Sequence, residues 1–327
     1  NNKQHMDPAD IQPMQVGNAT LFLQRAKRKL RELIFSNESD SYVAPDMTIL
    51  AEHITEGGIT AFAYQQEPDS VAWTVRSDGV LSCMTYRREE QVVAWHRHII
   101  GGVFGSGNAV VESVAVIPGD LDEDEVYLIV KRTIGGATKR YVERMSGFDF
   151  GSDITDAFFV DSGLTYSGSA ATTISGLDHL EGQTVSVLAD GSLHPNVTVS
   201  SGAVTLQRSV TKAHIGLPFT SKVETLRVDG GSALGSSQGK VKRISEVTVR
   251  LFRSVGLKVG TSTSELDVVP FRDSGDAMDT AIPLFTGDKT VEFRGGYDDD
   301  ATIVIQQDQP LPMTILAIFP TVSVFDK

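Results

Sequence analysis

"SVAWTVRSDG", residues 70–79, decides the fold class because polar and apolar residues alternate along it until a turn signal ends the run. A period of two places successive side chains on opposite faces of a β-strand. Val, Thr and Trp favour strands, and the Ser-Asp-Gly triplet favours a tight turn. The segment therefore predicts a strand that leads into a turn.

The same alternation recurs along most of the chain. It is found in "TLFLQR" (20–25), "VESVAVIP" (111–118), "TVSVLAD" (184–190) and "SEVTVRLFRS" (245–254). Turn signals such as "ADG" (189–191) lie between these runs. The sequence therefore predicts a mainly β protein.

One segment has a different pattern. In "PDMTILAEHIT" (45–55), the residues Met47, Leu50 and Ile54 fall at helical spacing after Asp46, which is a candidate N-cap. We therefore expect a short helix in this segment.

Composition and charge bound the class of protein. The chain has 327 residues, 30 of them glycine, and its 29 basic side chains are outnumbered by 42 acidic ones, giving a net charge of -13. The length suggests two or three domains. The negative charge argues against a surface that neutralises phosphates, whereas the wall of a conduit that repels DNA is compatible with it.

The chain shows no export or membrane signal. Its longest apolar runs, residues 126–130 and 315–319, have the length of strands and not of membrane spans. The first ten residues are polar and do not have the pattern of a signal peptide. Because the chain does not begin with Met, we expect a processed product or a fragment.

Composition shifts suggest the domain organisation. We expect a propeller-blade-like β domain over residues 1–160, an inserted small β-barrel over 161–230 and a terminal antiparallel β-domain over 231–327. "VAWTVR" (71–76) and "VYLIVK" (126–131) form a weak internal repeat at an offset of 55 residues. Repeats of about 40–50 residues are typical of propeller blades.

The cysteine and two of the histidines are candidate metal ligands. Cys83 is the sole cysteine, which rules out an intrachain disulfide and a knuckle built from several cysteines. His96 and His98 are two residues apart, so on a strand they share a face and could share a metal. The sequence offers no third ligand nearby, and we interpret "AWHRH" (94–98) as a scaffold strand.

Two acidic runs and one serine motif are further candidate sites. "DLDEDE" (120–125) and "DDD" (298–300) could bind Ca²⁺ through carboxylates, but neither has the pattern of an EF-hand loop, and solvated turns are the favoured interpretation. "GSSQG" (235–239) matches a nucleophile elbow around Ser237. A predicted strand follows it where that motif needs a helix, so we interpret it as a linker.

A set of longer segments carries a further signal. Its members are "VGNATLFLQRAKRKLREL" (16–33), "LAEHITEGGI" (50–59), "AYQQEPDSVAWTVRSDGVLSCMTYRREEQVVAWHRH" (63–98), "VESVAVIPG" (111–119), "DEVYLIVKR" (124–132), "TTISGLDHLEGQTVSVLADG" (172–191), "HIGLPF" (214–219), "GKVKRISEVTVRLFRS" (239–254) and "DQPLPMTILAIFP" (308–320). As a set they resemble the nozzle, or tail tubular protein B-like, components of short-tailed bacteriophages.

The resemblance implies a virion structural protein and not an enzyme. In that family a β-propeller with additional β-domains forms one subunit of a six-fold ring below the portal and adaptor, and the lumen of the ring carries the genome out. Members of that family are usually much longer, so the resemblance implies a carboxy-terminal portion of such a protein, and the implied location is the virion tail. The implied partners are other copies of the chain in a homo-hexamer, the tail adaptor proteins and tail fibres. Double-stranded DNA would pass through without specific binding.

On this interpretation we expect no catalytic residue, no cofactor, no metal site and no membrane segment. The functional candidates are acidic residues that would face the lumen. They are Asp120, Asp122, Glu123, Asp124, Glu125, Asp298, Asp299 and Asp300.

Two other classes of function remain open on the sequence. A host-surface adhesin or a polysaccharide-binding, depolymerase-like tail module would show rows of exposed aromatic residues beside a groove, or a carboxylate pair at catalytic separation. A secreted β-rich enzyme would need an export signal and a recognisable site. Trp73 and Trp95 are the sole tryptophans, and both lie in strand patterns that favour core packing.

Overall fold

The computed structural model describes residues 8–119, 123–230, 236–272, 274–277 and 280–325. The protein is mainly β, with 58 % strand and 2 % helix, which confirms the predicted class. It divides into two compact units, Asn1–Ser146 and Gly147–Lys327.

The described part of the first unit contains thirteen strands. They are β1 Met14–Val16, β2 Ala19–Leu23, β3 Leu30–Ser36, β4 Ser41–Val43, β5 Ile59–Gln65, β6 Val71–Arg76, β7 Leu81–Arg87, β8 Val92–His98, β9 Val103–Phe104, β10 Gly107–Asn108, β11 Val110–Pro118, β12 Asp124–Ile134 and β13 Ala137–Arg144. These strands form three antiparallel meanders, β1-β2-β3-β4, β5-β6-β7-β8 and β11-β12-β13, and the short hairpin β9-β10.

The β5–β8 sheet is buried on both faces around its centre. Val71, Trp73 and Val75 of β6 pack with β11 and β12 in what we call the blade core. Ala72, on the other face of β6, packs with residues of β2 and β3 in a separate core. Because strand side chains alternate between faces, one strand contributes to both cores. This explains why "VAWTVR" is apolar at both odd and even positions.

The internal repeat links strands in equivalent places. β6 and β12 are each the second strand of a meander, and both contribute to the blade core. The predicted turn after β6 is present, with Gly79 at φ +83°. A Cβ atom at Gly79 would lie 2.4 Å from a methyl group of Val110, so this turn needs glycine for close contact with β11 as well as for its backbone angle.

The helix expected within residues 45–55 is absent, and consecutive turns replace it. The Asp46 carboxylate does accept the backbone N–H of Thr48 at 2.9 Å, as an N-cap would. The turns are then closed by bonds between residues three apart, from Ala51 N to Thr48 O and from Ile54 N to Ala51 O, both 2.8 Å long. The N–H of Met47 donates to Leu30 of β3, so strand contacts outweigh the local helical spacing.

The described part of the second unit contains eleven strands and two short 3-10 helices, Ile154–Asp156 and Asp178–Leu180. The strands are β14 Asp161–Ser175, β15 Thr184–Ala189, β16 Ser192–Thr198, β17 Ala203–Leu217, β18 Ser221–Glu224, β19 Val241–Ser254, β20 Leu257–Ser262, β21 Glu265–Val269, β22 Phe285–Glu292, β23 Val304–Gln307 and β24 Ile315–Phe325.

These strands form three sheets in the orders β14-β17-β15-β16, β18-β23-β20-β21 and β22-β19-β24. The first sheet carries its own core, which includes Val187 and Ile215. The other two sheets share a second core, which includes Val249 and Ile305. β14 begins at Asp161, where the composition predicts a boundary, but none of the sheets in the described residues closes into a barrel.

No helix among the described residues has the length and apolar character needed to cross a membrane. Trp73 is buried, and the half-buried Trp95 packs against a core and donates its indole N–H to the carbonyl of Met47 at 2.8 Å. Both tryptophans therefore serve packing, as the strand patterns predict.

Candidate functional site

The first acidic run is only partly described. Asp120 and Asp122 lie outside the described residues. Glu123 is exposed, and its backbone carbonyl accepts the N–H of Gly119 at 2.7 Å. The fold therefore leaves the Glu123 side chain at the surface of the turn before β12.

Asp124 is bonded to the backbone that follows β5, and Glu125 is bonded to side chains of β12 and β13. The Asp124 carboxylate accepts the backbone N–H groups of Gln66, at 2.6 Å, and Glu67, at 3.1 Å. Glu125 accepts hydrogen bonds of 2.6 Å from the Tyr127 hydroxyl and from the Arg144 guanidinium. The Tyr127 bond first, and Arg144 second, hold the pKa of Glu125 below its ordinary value. These two carboxylates brace the turn.

The second acidic run is anchored by a buried lysine. Lys242 of β19 is 1 % exposed, and its Nζ donates to the carbonyls of Ser237, Lys240 and Asp299 at 3.2, 3.3 and 2.8 Å. Lys242 and Asp298 also exchange two backbone hydrogen bonds of 2.8 Å. An ammonium group carries three donors, so this arrangement satisfies it with backbone oxygens.

The backbone of this run contacts the buried Lys242, whereas its carboxylates point to the surface or to a surface ion pair. Asp298 and Asp299 are exposed, whereas Asp300 is half-buried and forms an ion pair of 2.8 Å with Arg227. Lys242 therefore fixes the backbone of the loop while two of its acidic side chains remain at the surface.

Ser237 is the central residue of the nucleophile-elbow match. Its side chain forms local hydrogen bonds. Its hydroxyl donates to the Asp229 carboxylate at 2.8 Å and accepts the N–H of Gly230 at 2.9 Å. β19 follows it, where the elbow motif needs a helix. The hydroxyl therefore stabilises a turn.

A cluster of metal-ligating groups lies on the β7–β8 hairpin. The register pairs Cys83 with His96 and Leu81 with His98, so all four side chains are on one face. The ligand atoms of Cys83, His96 and His98 lie within 4.8 Å of one another, and the two imidazole centroids are 5.1 Å apart. The sequence indicated no third ligand near the histidines, and the fold corrects this because strand pairing supplies Cys83.

Burial affects the three groups to different degrees. Cys83 is fully buried in the blade core, and this burial raises the pKa of its thiol. Burial also lowers the pKa of His98 to about 4, with a smaller effect from His96, and it lowers the pKa of the more exposed His96. Both imidazoles are therefore neutral near pH 7. The Nε2 atom of His98 is buried and has no hydrogen-bond partner among the described residues.

Other histidines in the described chain have partners on their rings. His214 contacts the Thr165 hydroxyl and the Thr155 carbonyl, both at 2.8 Å. His194 accepts the N–H of Gln207 at 2.9 Å and contacts the carbonyl of Pro195 at 2.7 Å. These histidines have structural roles, which distinguishes them from the unpartnered nitrogen of His98.

Each unit has a cleft lined by described residues. A cleft of about 320 Å³ in the first unit is lined by apolar residues together with Asp46 and His53. A cleft of about 360 Å³ in the second unit includes Ser192, Arg208 and Arg272. Neither set of described lining residues combines a nucleophile with a neighbouring base.

Comparison with known proteins gives no family assignment. No protein-family model and no curated protein matches this chain.

Proposed function

We propose that this protein is a structural component of the short tail of a bacteriophage, contributing to a ring-shaped conduit for genome ejection. The observation that carries the proposal is the succession of antiparallel meanders in the first unit, packed face to face through shared cores. A meander of four consecutive strands is the building block of a propeller blade. A propeller is also what the resemblance to nozzle proteins implies.

The segments that carry the resemblance coincide with this framework. Residues 63–98 contain the last three residues of β5 and all of β6, β7 and β8, and residues 124–132 contain most of β12. They provide the strands on both sides of the blade core. This agreement supports a partial propeller in the first unit as the finer description of the fold.

The charge distribution supports a conduit rather than a nucleic-acid-binding surface. The net charge is -13, and the exposed Glu123, Asp298 and Asp299 carry negative charge on backbone that is held in place. Like-charge repulsion would keep the phosphate backbone away from such a wall. Asp124, Glu125 and Asp300 are less exposed than these three residues and are weaker candidates for that role.

The first experiment locates the protein. Virions labelled with gold-conjugated antibodies against this chain are examined by electron microscopy, together with negatively stained full-length protein. We expect labels at the tail and six-fold rings. Labels on the capsid shell, or on fibres alone, would refute the conduit proposal.

A second experiment tests the acidic wall. Phage carrying Glu123→Lys or Asp299→Lys are compared with Glu123→Gln and Asp299→Asn in a DNA-release assay. A lysine at the wall should attract phosphate and slow release more than the neutral change does. The Asp299 carbonyl, which holds Lys242, is retained in each variant. Equal release rates in all four variants would show that neither residue lines the path.

The adhesin alternative gives a different result in a binding assay. The described residues include two exposed aromatic pairs, Phe35–Tyr42 with ring centroids 5.4 Å apart and Tyr297–Phe325 with ring centroids 5.1 Å apart. Each pair has two rings, which is less than the row of stacking rings that sugar binding favours. Binding to host polysaccharide that is lost in Tyr42→Ala, together with label on the fibres, would support the alternative and contradict the conduit.

A further inference from the structure

The metal-ligating cluster has a feature that core packing alone does not explain. A buried imidazole nitrogen without a hydrogen bond is unfavourable, yet Nε2 of His98 is buried and unpartnered. The two other potential ligands lie within 4.8 Å of a ring nitrogen of this same histidine. A cation bound through Nε2 would give this nitrogen a partner.

The chemistry of the three groups selects a class of metal. Imidazole nitrogen and thiolate sulfur are ligands of Zn²⁺ and related transition ions, whereas Ca²⁺ and Mg²⁺ prefer oxygen. In tetrahedral zinc coordination, metal–ligand distances of about 2.0–2.3 Å place neighbouring ligand atoms about 3.3–3.6 Å apart. Closing the cluster from its present spacing of up to 4.8 Å needs shifts of about 1 Å in the ligand atoms.

We propose that Cys83, His96 and His98 form a binding site for one divalent transition-metal ion of the zinc class, with water as the fourth ligand. Binding forms a bond between the sulfur and the ion and releases the thiol proton to solvent. His96 is exposed and belongs to β8, an edge strand, so the ion has a path from solvent. The site would tie that edge strand to β7 and to the blade core.

The site is independent of the proposed tail function. Its ligands come from one hairpin in the first unit, so it would form in any protein that contains this hairpin and the core beneath it. The expected role is structural, because metal bound only by the folded form stabilises that form. Loss of tail localisation would leave this inference intact, and loss of metal binding would leave the tail proposal intact.

The test is a Co²⁺ titration of the full chain after removal of metal with a chelator. Co²⁺ is the probe because a thiolate ligand gives a charge-transfer absorption band, which reports Cys83 directly. We expect saturation at one ion per chain, displacement by Zn²⁺ and a higher melting temperature when metal is bound. The ring of Trp73 lies 5.5 Å from that of His98, so its fluorescence should fall on Co²⁺ binding.

Variants separate the three ligands from adventitious binding. His96→Asn changes an exposed residue and removes a direct ligand. Loss of an outer-shell partner of a metal ligand costs about 10–100-fold in metal affinity, so loss of His96 should weaken Co²⁺ binding by at least that factor. His98→Asn should do the same, and Cys83→Ser should abolish the charge-transfer band. His53→Asn, an exposed histidine in the same unit, is the matched control and should bind as the wild type does.

Two results would overturn the inference. One is a wild-type chain that shows no charge-transfer band at saturating Co²⁺. The other is equal affinity in His96→Asn and His53→Asn, which would indicate adventitious binding. The wild-type band needs no substitution, so misfolding of a variant cannot hide the first result.

Discussion

The ion pair between Arg132 and Glu143 offers a sharp test of how the first unit is stabilised. Arg132 of β12 has a fully buried side chain, whereas 17 % of the Glu143 side chain is exposed. The guanidinium binds both carboxylate oxygens, one of them at 3.1 Å, and also donates to the carbonyl of Gly101 at 2.8 Å. Glu143→Gln removes the negative charge and directs an amide N–H₂ group at the guanidinium, leaving a buried cation without its counter-charge.

Breaking a buried ion pair costs about 3–5 kcal/mol. Because Glu143 keeps some contact with water, we expect the lower end, about 3 kcal/mol. At about 2–4 °C per kcal/mol for a domain of this size, the melting temperature should fall by about 6–12 °C. Urea denaturation and calorimetry of the transition that includes this unit measure both quantities.

Two comparisons make the test decisive. Asp69 and Arg87 form an exposed ion pair of 3.0 Å in the same unit, so Asp69→Asn should cost no more than about 1 kcal/mol. The double variant Arg132→Met/Glu143→Leu should recover much of the loss, because an apolar pair does not leave a buried charge unpaired. If Glu143→Gln and Asp69→Asn are equally destabilising, the reasoning is refuted.

Three further outcomes are expected. Ile305→Ala in β23 should lower the free energy of unfolding by about 2–5 kcal/mol in urea denaturation, because Ile305 is fully buried. Its cross-strand partner Val223 is 42 % exposed, so Val223→Ala should change the free energy of unfolding by no more than about 0.5 kcal/mol. Lys242→Met should cost about 1–3 kcal/mol in the same assay because three carbonyls lose their donor, and an unchanged stability would contradict the anchoring role. Hydrogen bonds, first from Arg140 and then from Lys131, lower the pKa of Glu112 to about 2. The ionised Glu112 side chain therefore stabilises the folded state fully above the unfolded pKa of about 4.5, and this stabilisation is lost as the pH falls towards about 2. The melting-temperature difference between wild type and Glu112→Gln should therefore shrink over that interval, and a constant difference would refute the assignment.

Strand positions could be predicted from the sequence because polar and apolar residues alternate along each strand. β11, β15 and β19 all fall on the predicted runs. The segment around Asp46 does not form the predicted helix: Leu50, one of the residues at helical spacing, is 93 % exposed, and the backbone N–H of Met47 bonds to Leu30 of β3. The spacing of apolar residues predicts which face of a helix would be buried, but it does not show whether a neighbouring strand competes for the backbone hydrogen bonds.

The candidate site was less accessible to sequence analysis because its residues meet across strands. Cys83 lies opposite His96 because the four residues between Arg87 and Val92 form the turn. A register counted outward from that turn would have paired them in advance. The partnership of Lys242 with the loop at residue 299 joins positions 57 apart and has no local signal.

The pairing of β18 with β23 has a consequence for the covalent chain. Ser221–Glu224 are in register with Val304–Gln307, so the amino-terminal and carboxy-terminal parts of the second unit are held together by a sheet as well as by the peptide between them. A molecule nicked between Val228 and Lys240 would still migrate as a single particle and come apart only on denaturation. Such a two-piece version, expressed from separate genes, is a natural starting point for fragment complementation.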